Sequence, residues 1–299
     1  MTQRWLITGT SRGTGRALAQ AVLEAGHKVI ATARNPEQIS DLGARFGESV
    51  RTFPLDVTDP NAAEAAVRLA VDTFGGLDVL VNNAGYGNVN SVEDTALEDF
   101  RRQIETNLFG TIIVTKAAIP IMREQRSGHI IQFSSVGGRI GAPGRAPYSS
   151  AKWAIEGFSE CLAREMGLVG VKVTVIEPGG MRTDFSGVST TLKEGRPEYD
   201  RVVGETARMQ RNYDGRQPGD PARVAQAILK IAAMDDPPFR LPVGSDALKI
   251  LVQADLRRLE ELERWRELSQ STDFPRDETD DRSGSRPASP SFLALNSAV

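Results

Sequence analysis

The sequence predicts an α/β protein: one doubly wound domain with a seven-stranded parallel sheet and helices on both faces. Three observations carry that expectation. Short β-branched runs alternate with longer amphipathic segments. A glycine-rich turn, Thr8-Gly9-Thr10-Ser11-Arg12-Gly13-Thr14-Gly15, joins the first run to the first amphipathic segment. The chain has 299 residues, 40% of them hydrophobic, which is enough for one large core.

Taken in order, strands are predicted at Trp5–Thr8, Val29–Thr32, Thr52–Leu55, Val79–Val81, Ile130–Phe133, Val171–Ile176 and Phe239–Val243. The third is the weakest, because Pro54 removes a ladder donor. Between the first two, Ala17, Leu18, Ala21, Val22 and Ala25 share a helix face that stops at Gly26. Residues Gly180 to Gly219 are polar and punctuated, too long for a plain connection, and read as a partly helical lid. Asp220-Pro221 then caps a helix over Ala222–Met234. A charged helix follows from Leu248 to about Leu268, its run Arg257 to Glu267 reading as a solvated face. The catalytic domain is placed at residues 1–274, and Pro275–Val299, rich in Ser, Pro, Asp and Arg, as a disordered tail.

Composition narrows the partners. A net charge of -3, without a block of consecutive basic residues, argues against nucleic acid or an anionic membrane surface and leaves a small molecule. The single cysteine, Cys161, excludes an intrachain disulfide and reads as a small core residue on a helix. No apolar stretch approaches the roughly 18 residues of a membrane span, and the motif at Thr8 leaves no room for a signal peptide, so a cytoplasmic protein is expected. The two histidines, His27 and His129, each precede a strand and read as surface or turn residues; with one distant cysteine they form no metal constellation, and no metal is predicted.

The opening glycines sit where a strand hands over to a helix whose first turn has unpaired N–H groups and a positive dipole end, which suits an anion. Glycine there permits tight backbone geometry and close approach to a pyrophosphate. The spacing is G-x-x-x-G-x-G, not the commoner G-x-G-x-x-G, and no Lys-Ser or Lys-Thr pair follows as in a nucleotide-hydrolase loop. An acidic residue at the end of the second strand would hold the ribose hydroxyls of NAD. Ala33-Arg34 stands there instead, and Arg34 with Arg12 can clamp a 2′-phosphate, so NADPH is expected over NADH.

Tyr148-Ser149-Ser150-Ala151-Lys152 supplies the chemistry. Residues four apart share a helix face, so the Lys152 ammonium is expected to lower the Tyr148 pKa toward the working pH of a general acid-base group. A lysine four positions after a tyrosine arises by chance in about one such sequence in ten, so the pair gains its weight from context.

That context is an ordered series: Thr8-Gly9-x-x-x-Gly13-x-Gly15, Asn82-Asn83-Ala84-Gly85, Asn107, Ser135, Tyr148-x-x-x-Lys152 and Pro178-Gly179. Over roughly residues 1 to 270 the sequence resembles the short-chain dehydrogenases/reductases, a likeness that implies a Rossmann-type domain. It further implies that Ser135 hydrogen-bonds the substrate oxygen, that Asn107 supports a water near Lys152, that Thr183 touches the nicotinamide amide and that Asp56-Val57 lies beside the adenine. Ser134 competes with Ser135, but neighbours on a strand face opposite ways and family spacing picks Ser135. The cofactor set implied is Gly9, Ser11, Arg12, Gly13, Thr14, Gly15, Arg34, Asp56, Val57, Asn83, Ala84, Gly85, Tyr148, Lys152, Pro178, Gly179 and Thr183.

The implied reaction is hydride transfer between a dinucleotide and a carbonyl carbon, with Tyr148 moving the proton. Substrate contacts are expected from Ser135, Tyr148, Tyr86, Met181 and Phe185, the last three walling a moderately apolar pocket. Trp153 and Phe158 read as packing or subunit-contact residues, and Ala96–Arg126 with Tyr148–Met166 resemble the helices through which relatives form homodimers or homotetramers. Two rival classes stay open: a nucleotide-sugar epimerase or dehydratase, which would retain NAD tightly, and a non-catalytic dinucleotide sensor, for which loss of Tyr148 or Lys152 would have spoken.

Overall fold

The computed structural model describes residues 2–185 and 190–274; the tail expected at 275–299 and residues 186–189 of the lid lie outside that range. In chain order the strands are β1 (Arg4–Ile7), β2 (Lys28–Ala33), β3 (Val50–Pro54), β4 (Val79–Asn82), β5 (Gly87–Val89), β6 (Gly128–Phe133), β7 (Val171–Pro178), β8 (Thr190–Leu192) and β9 (Arg240–Val243). The helices are α1 (Gly13–Glu24), α2 (Ser40–Phe46), α3 (Pro60–Phe74), α4 (Leu97–Ile104), α5 (Gly110–Gln125), α6 (Ala146–Gly167), α7 (Glu205–Tyr213), α8 (Pro221–Ala232), α9 (Ser245–Arg264) and α10 (Arg266–Gln270).

All seven predicted strands join one parallel sheet in the order β3-β2-β1-β4-β6-β7-β9. Pro54 is tolerated because it ends an edge strand. Parallel strands need crossovers, and successive residues face opposite sides, so each strand feeds two helical layers. On one face Trp5, Ile7, Val29, Ala31, Val79 and Val81 pack with Leu18 and Val22 of α1 and Val224 and Ile228 of α8. On the other, Leu6, Ile30, Leu80 and Ile130 pack with Ala66 and Val67 of α3, Val114 and Ala118 of α5, and Leu162 of α6.

Local signals stop and start the helices as the sequence implies. Asp59 and Asp220 accept from the first-turn amides of α3 and α8, each followed by Pro, and Gly75 closes α3 in the left-handed region with φ 83°. A π turn at 105–109 carries α4 into α5, giving one helical run Leu97–Gln125. By length and hydropathy that run could span a membrane, which corrects the reading that no stretch approaches such a length; it owes its apolar character partly to Val114, Ala118 and Met122, which cover the sheet.

Three further expectations change. Cys161 is exposed, because it lies off the buried stripe Ile155, Ser159, Leu162 and Met166 of α6. A small parallel pair, β5 with β8, joins the segment after β4 to the lid. His129 is buried inside β6, since the strand begins one residue earlier at Gly128. Two compact units are present, residues 1–251 and the remainder from Val252; the boundary read from composition at 274 falls inside the second. Leu251 is the last buried apolar side chain of α9, and Val252, Leu256, Leu259 and Leu262 are exposed.

His129 yields a pH prediction. Thr174 Oγ1 donates to the Pro238 carbonyl (2.8 Å), so the 2.9 Å contact from His129 Nε2 is a donation from the ring, and Nδ1 is buried without an acceptor for a proton. Burial, assisted by the Lys172 charge, pushes the pKa down to about 4. The unfolded chain, with an ordinary value near 6.5, binds a proton that the folded chain refuses between those values, so stability falls as pH drops through that window. Denaturant melts of His129→Gln should lose about 3 kcal/mol less than wild type between pH 7 and pH 4; equal losses would show that His129 carries none of the acid sensitivity.

Candidate active site

The sheet order reverses between β1 and β4, where one crossover leaves toward β2 and the next toward β6, so a crevice opens at their carboxyl ends. Both ends carry predicted site residues. After β1, Gly9 and Gly13 adopt φ 71° and 58°, a region that favours glycine. After β4, Asn83 ties the two together: its Nδ2 donates to the carbonyls of Thr8 (2.9 Å) and Gly9 (3.1 Å), and the Asn83 and Ala84 amides donate to Thr8 Oγ1, each at 3.0 Å. A Cβ on Gly15 would lie 2.3 Å from the Gly9 carbonyl oxygen.

The residues fit a bound dinucleotide. α3 and α8 have a side-chain cap and α1 has none, nor an acid in its first turn, so the amides at its start are left uncompensated. Ser11 and Thr14 flank Arg12 on this turn. Thr183 lies over it, its Cβ 3.4 Å from where a Gly13 side chain would begin. Pro178 ends β7, the Gly179 amide donates to the Val243 carbonyl (3.1 Å), and the Gly180 amide donates to Asp246 Oδ2 (2.7 Å), which steers the chain back toward Thr183. Arg12 and Arg34 are exposed and have no ion pair among the described residues. Asp56 lies near Arg34; hydrogen bonds from the Thr58 amide and hydroxyl hold its carboxyl below the usual range, with the Arg34 charge adding to them. Val57 packs against Gly110 at the start of α5.

The catalytic candidates converge. Ser135 Oγ accepts from the Gly137 amide at 3.0 Å and lies with the Tyr148 ring beside Gly137, whereas Ser134 Oγ is buried without a partner among the described residues, beside Gly138. Lys152 is buried and its Nζ donates to the Phe133 carbonyl at 2.6 Å. Both Lys152 Nζ and Asn107 Oδ1 approach Gly85, 3.9 Å and 3.1 Å from its missing Cβ. Asn107 sits in the π turn and pins Tyr86: Nδ2 donates to the Tyr86 carbonyl (2.8 Å) and Oδ1 accepts from its amide (3.1 Å), with Gln103 Nε2 joining on the carbonyl (2.8 Å).

Electrostatics depart from the expectation that Lys152 lowers the Tyr148 pKa. Burial raises it, while the Ser135 hydrogen bond and the Arg145 charge oppose the rise. Lys152 is itself pushed down to about 8 by burial, against the Glu156 charge, and its ammonium is directed at a carbonyl. Spacing placed the lysine near the phenol but could not weigh desolvation.

Of the three expected pocket walls, Phe185 packs on Tyr148, ring centroids 5.7 Å apart. The Tyr86 backbone is pinned by Asn107, and burial raises the phenol pKa against the opposing Arg102 charge. Met181 belongs to the core with Val224 and Ile228, and its backbone bridges to Gly219. Sequence reasoning also missed Thr8, Gln103, Arg145 and Gln210, whose partners are distant in the chain. Among the described residues no cluster of three His, Cys, Asp or Glu side chains could hold a metal.

The short chain dehydrogenase family profile matches residues 3–193. Oxidoreductase BOA17 of Botryotinia fuckeliana is 48% identical over 271 residues, covering 90% of this chain and 98% of that protein. A 3-ketodihydrosphingosine reductase of Bacteroides thetaiotaomicron is 36% identical, covering 80% and 87%. Among solved structures, a short-chain dehydrogenase from Streptomyces avermitilis superposes with TM-score 0.85 at 37% identity, covering 91% of this chain and 98% of that one. ElxO with NADP bound gives 0.68 at 27% identity, covering 83% and 100%. The chain is therefore a member of the short-chain dehydrogenase/reductase family, the NAD(P)-dependent oxidoreductases built on this sheet.

Proposed function

We propose that this protein uses NADPH to interconvert a carbonyl and a secondary alcohol, with Tyr148 as proton donor and acceptor. What carries the reading is the buried Tyr148 phenol ring, set with Ser135 Oγ beside Gly137 and one helical turn before Lys152. The dinucleotide supplies or takes the hydride when bound. Ser135 and Tyr148 together orient the substrate oxygen, and Tyr148 gives it a proton as negative charge develops there. Lys152 lies within reach of both the phenol and the Gly85 backbone, and it would hold the cofactor ribose when the dinucleotide binds. Phe185 and the buried apolar group that joins Val89 to the lid residues Val203 and Ala207 favour an apolar ketone or alcohol.

The preference for the phosphorylated cofactor rests on Arg12 and Arg34, two exposed cations without ion pairs among the described residues, and on the absence of an acid at the end of β2. Arg34→Glu should raise KM for NADPH at least about 10-fold, the scale of one charge-assisted contact, and leave KM for NADH within a few-fold. Initial rates with each cofactor decide it: an unchanged ratio removes Arg34 from the phosphate site. The activity itself is tested by NADPH oxidation across aliphatic, aromatic and polycyclic ketones; turnover only with NADH, or with none of the panel despite dinucleotide binding, would count against it. Exposed Phe109 and Trp153 on the long helices support pairing with a second copy of the chain, which sedimentation would read.

A further inference from the structure

Arg145 stands at the N-terminal end of α6, one helical turn before Tyr148. Its Cζ lies 5.7 Å from the centroid of the Tyr148 ring, as close as the Lys152 Nζ at 5.8 Å. The two cations are held differently. The Lys152 ammonium is bound to the Phe133 carbonyl, a neutral acceptor behind the site. The Arg145 guanidinium donates through Nη2 to the Gln210 side-chain oxygen, on lid helix α7, and has no ion pair among the described residues. Its backbone is fixed as well: the neighbouring Gly144 lies so close to Val89 and Val203 that a Cβ there would sit 2.9 Å and 3.3 Å from them. A partly buried guanidinium without a carboxylate is an unbalanced charge, and the nearest group able to become negative is the Tyr148 phenol.

Resting on the reading of Tyr148 as the proton-transfer group, we propose that Arg145 is a positioning residue for it, a cation that the lid residue Gln210 holds over the phenol to stabilise its ionised form. The groups facing the phenol are the Ser135 hydroxyl from the turn after β6, Arg145 and Lys152 from α6, and the uncharged Phe185 ring from the segment after β7. The Arg145 charge and the Ser135 hydrogen bond both oppose the rise that burial imposes on Tyr148. Lid and acid are thereby joined: the same side chain that touches α7 sets how readily Tyr148 releases its proton.

The test compares wild type, Arg145→Met, Arg145→Lys and Gln210→Ala by two readouts. One is the pH profile of kcat/KM for carbonyl reduction. The other is the near-ultraviolet tyrosinate absorbance, taken as a difference against Tyr148→Phe on the protein alone. Reduction requires the protonated phenol, so the rate falls as pH rises through the Tyr148 pKa. Without the guanidinium the phenolate is less stable, and both that limb and the absorbance titration should move to higher pH by roughly one unit. Arg145→Lys should restore most of the shift, and Gln210→Ala should move the same way by less. If the absorbance titration stays at its wild-type position in all three variants, the proposal is overturned, and a KM change with an unmoved limb would make Arg145 a substrate contact instead. The absorbance arm needs no turnover, so it decides the role of Arg145 even if the assigned activity fails. Should Arg145→Met not fold, Arg145→Lys and Gln210→Ala carry the comparison.

Discussion

Tyr148→Phe is expected to lower carbonyl reduction by about 10²–10⁴-fold, the range lost when a positioned proton donor is removed, while dinucleotide affinity stays within a few-fold. The substitution is nearly isosteric. Tyr148 is only 7% exposed and its ring packs on Phe185, so phenylalanine keeps the packing and deletes one hydroxyl. Ser135 Oγ still accepts from the Gly137 amide and stays where it is. Steady-state rates on a responsive ketone, with NADPH binding followed by fluorescence, separate the two effects. A variant that keeps more than about a tenth of wild-type turnover would mean that some other group moves the proton.

Gly15→Ala should have the other large effect, on cofactor binding and not on chemistry. A Cβ there would lie 2.3 Å from the Gly9 carbonyl oxygen and 2.4 Å from Asn83 Nδ2. Neither neighbour can yield cheaply, because the Gly9 carbonyl and Asn83 are the hydrogen-bonded seam between the ends of β1 and β4. The loop must open, at about 1–3 kcal/mol for the strain, and pyrophosphate affinity should fall about 10–100-fold as the amides lose alignment. Titration calorimetry with NADPH and a thermal melt check both parts. Gly43→Ala is the control: nothing lies within 4 Å of its missing Cβ, so within α2 it should gain about 0.5–1 kcal/mol. Wild-type affinity in Gly15→Ala would separate the glycine turn from the cofactor.

The seven-stranded sheet was legible because each strand alternates between two cores, leaving apolar runs too short for helices. Pro54 looked like a defect and is harmless only because β3 is an edge, a fact of topology that no local pattern contains. The β5–β8 pair was not legible: Gly87-Asn88-Val89 has little strand character, and its partner belongs to the lid. Cys161 could have been placed by a helical wheel, since it falls one position from the buried stripe of α6. At the site, contiguous motifs revealed the glycine turn, Asn83, Ser135 and the Tyr148–Lys152 pair. Met181 went to the core because proximity in sequence to Gly179 says nothing of which way the chain turns afterwards. Arg145 lies three residues before the closely read Tyr148–Lys152 segment and was missed, because its meaning depends on Gln210 in the lid.

The π turn at 105–109 adds one residue to the helical run that holds Asn107. A residue of helix is about 100° of rotation, so this insertion sets the angular phase of everything before it against everything after. Gln103 and Asn107 both reach the Tyr86 carbonyl under that phase. Loss of Glu105 or Thr106 would remove no group that the site uses and could leave an unbroken α-helix, yet it would swing α4 around its axis relative to Asn107 and part the two amides. Beside the Asn107 amide, what the chain must preserve here is a length, so tolerance to substitution and intolerance to deletion can coexist at the residues that separate it from α4.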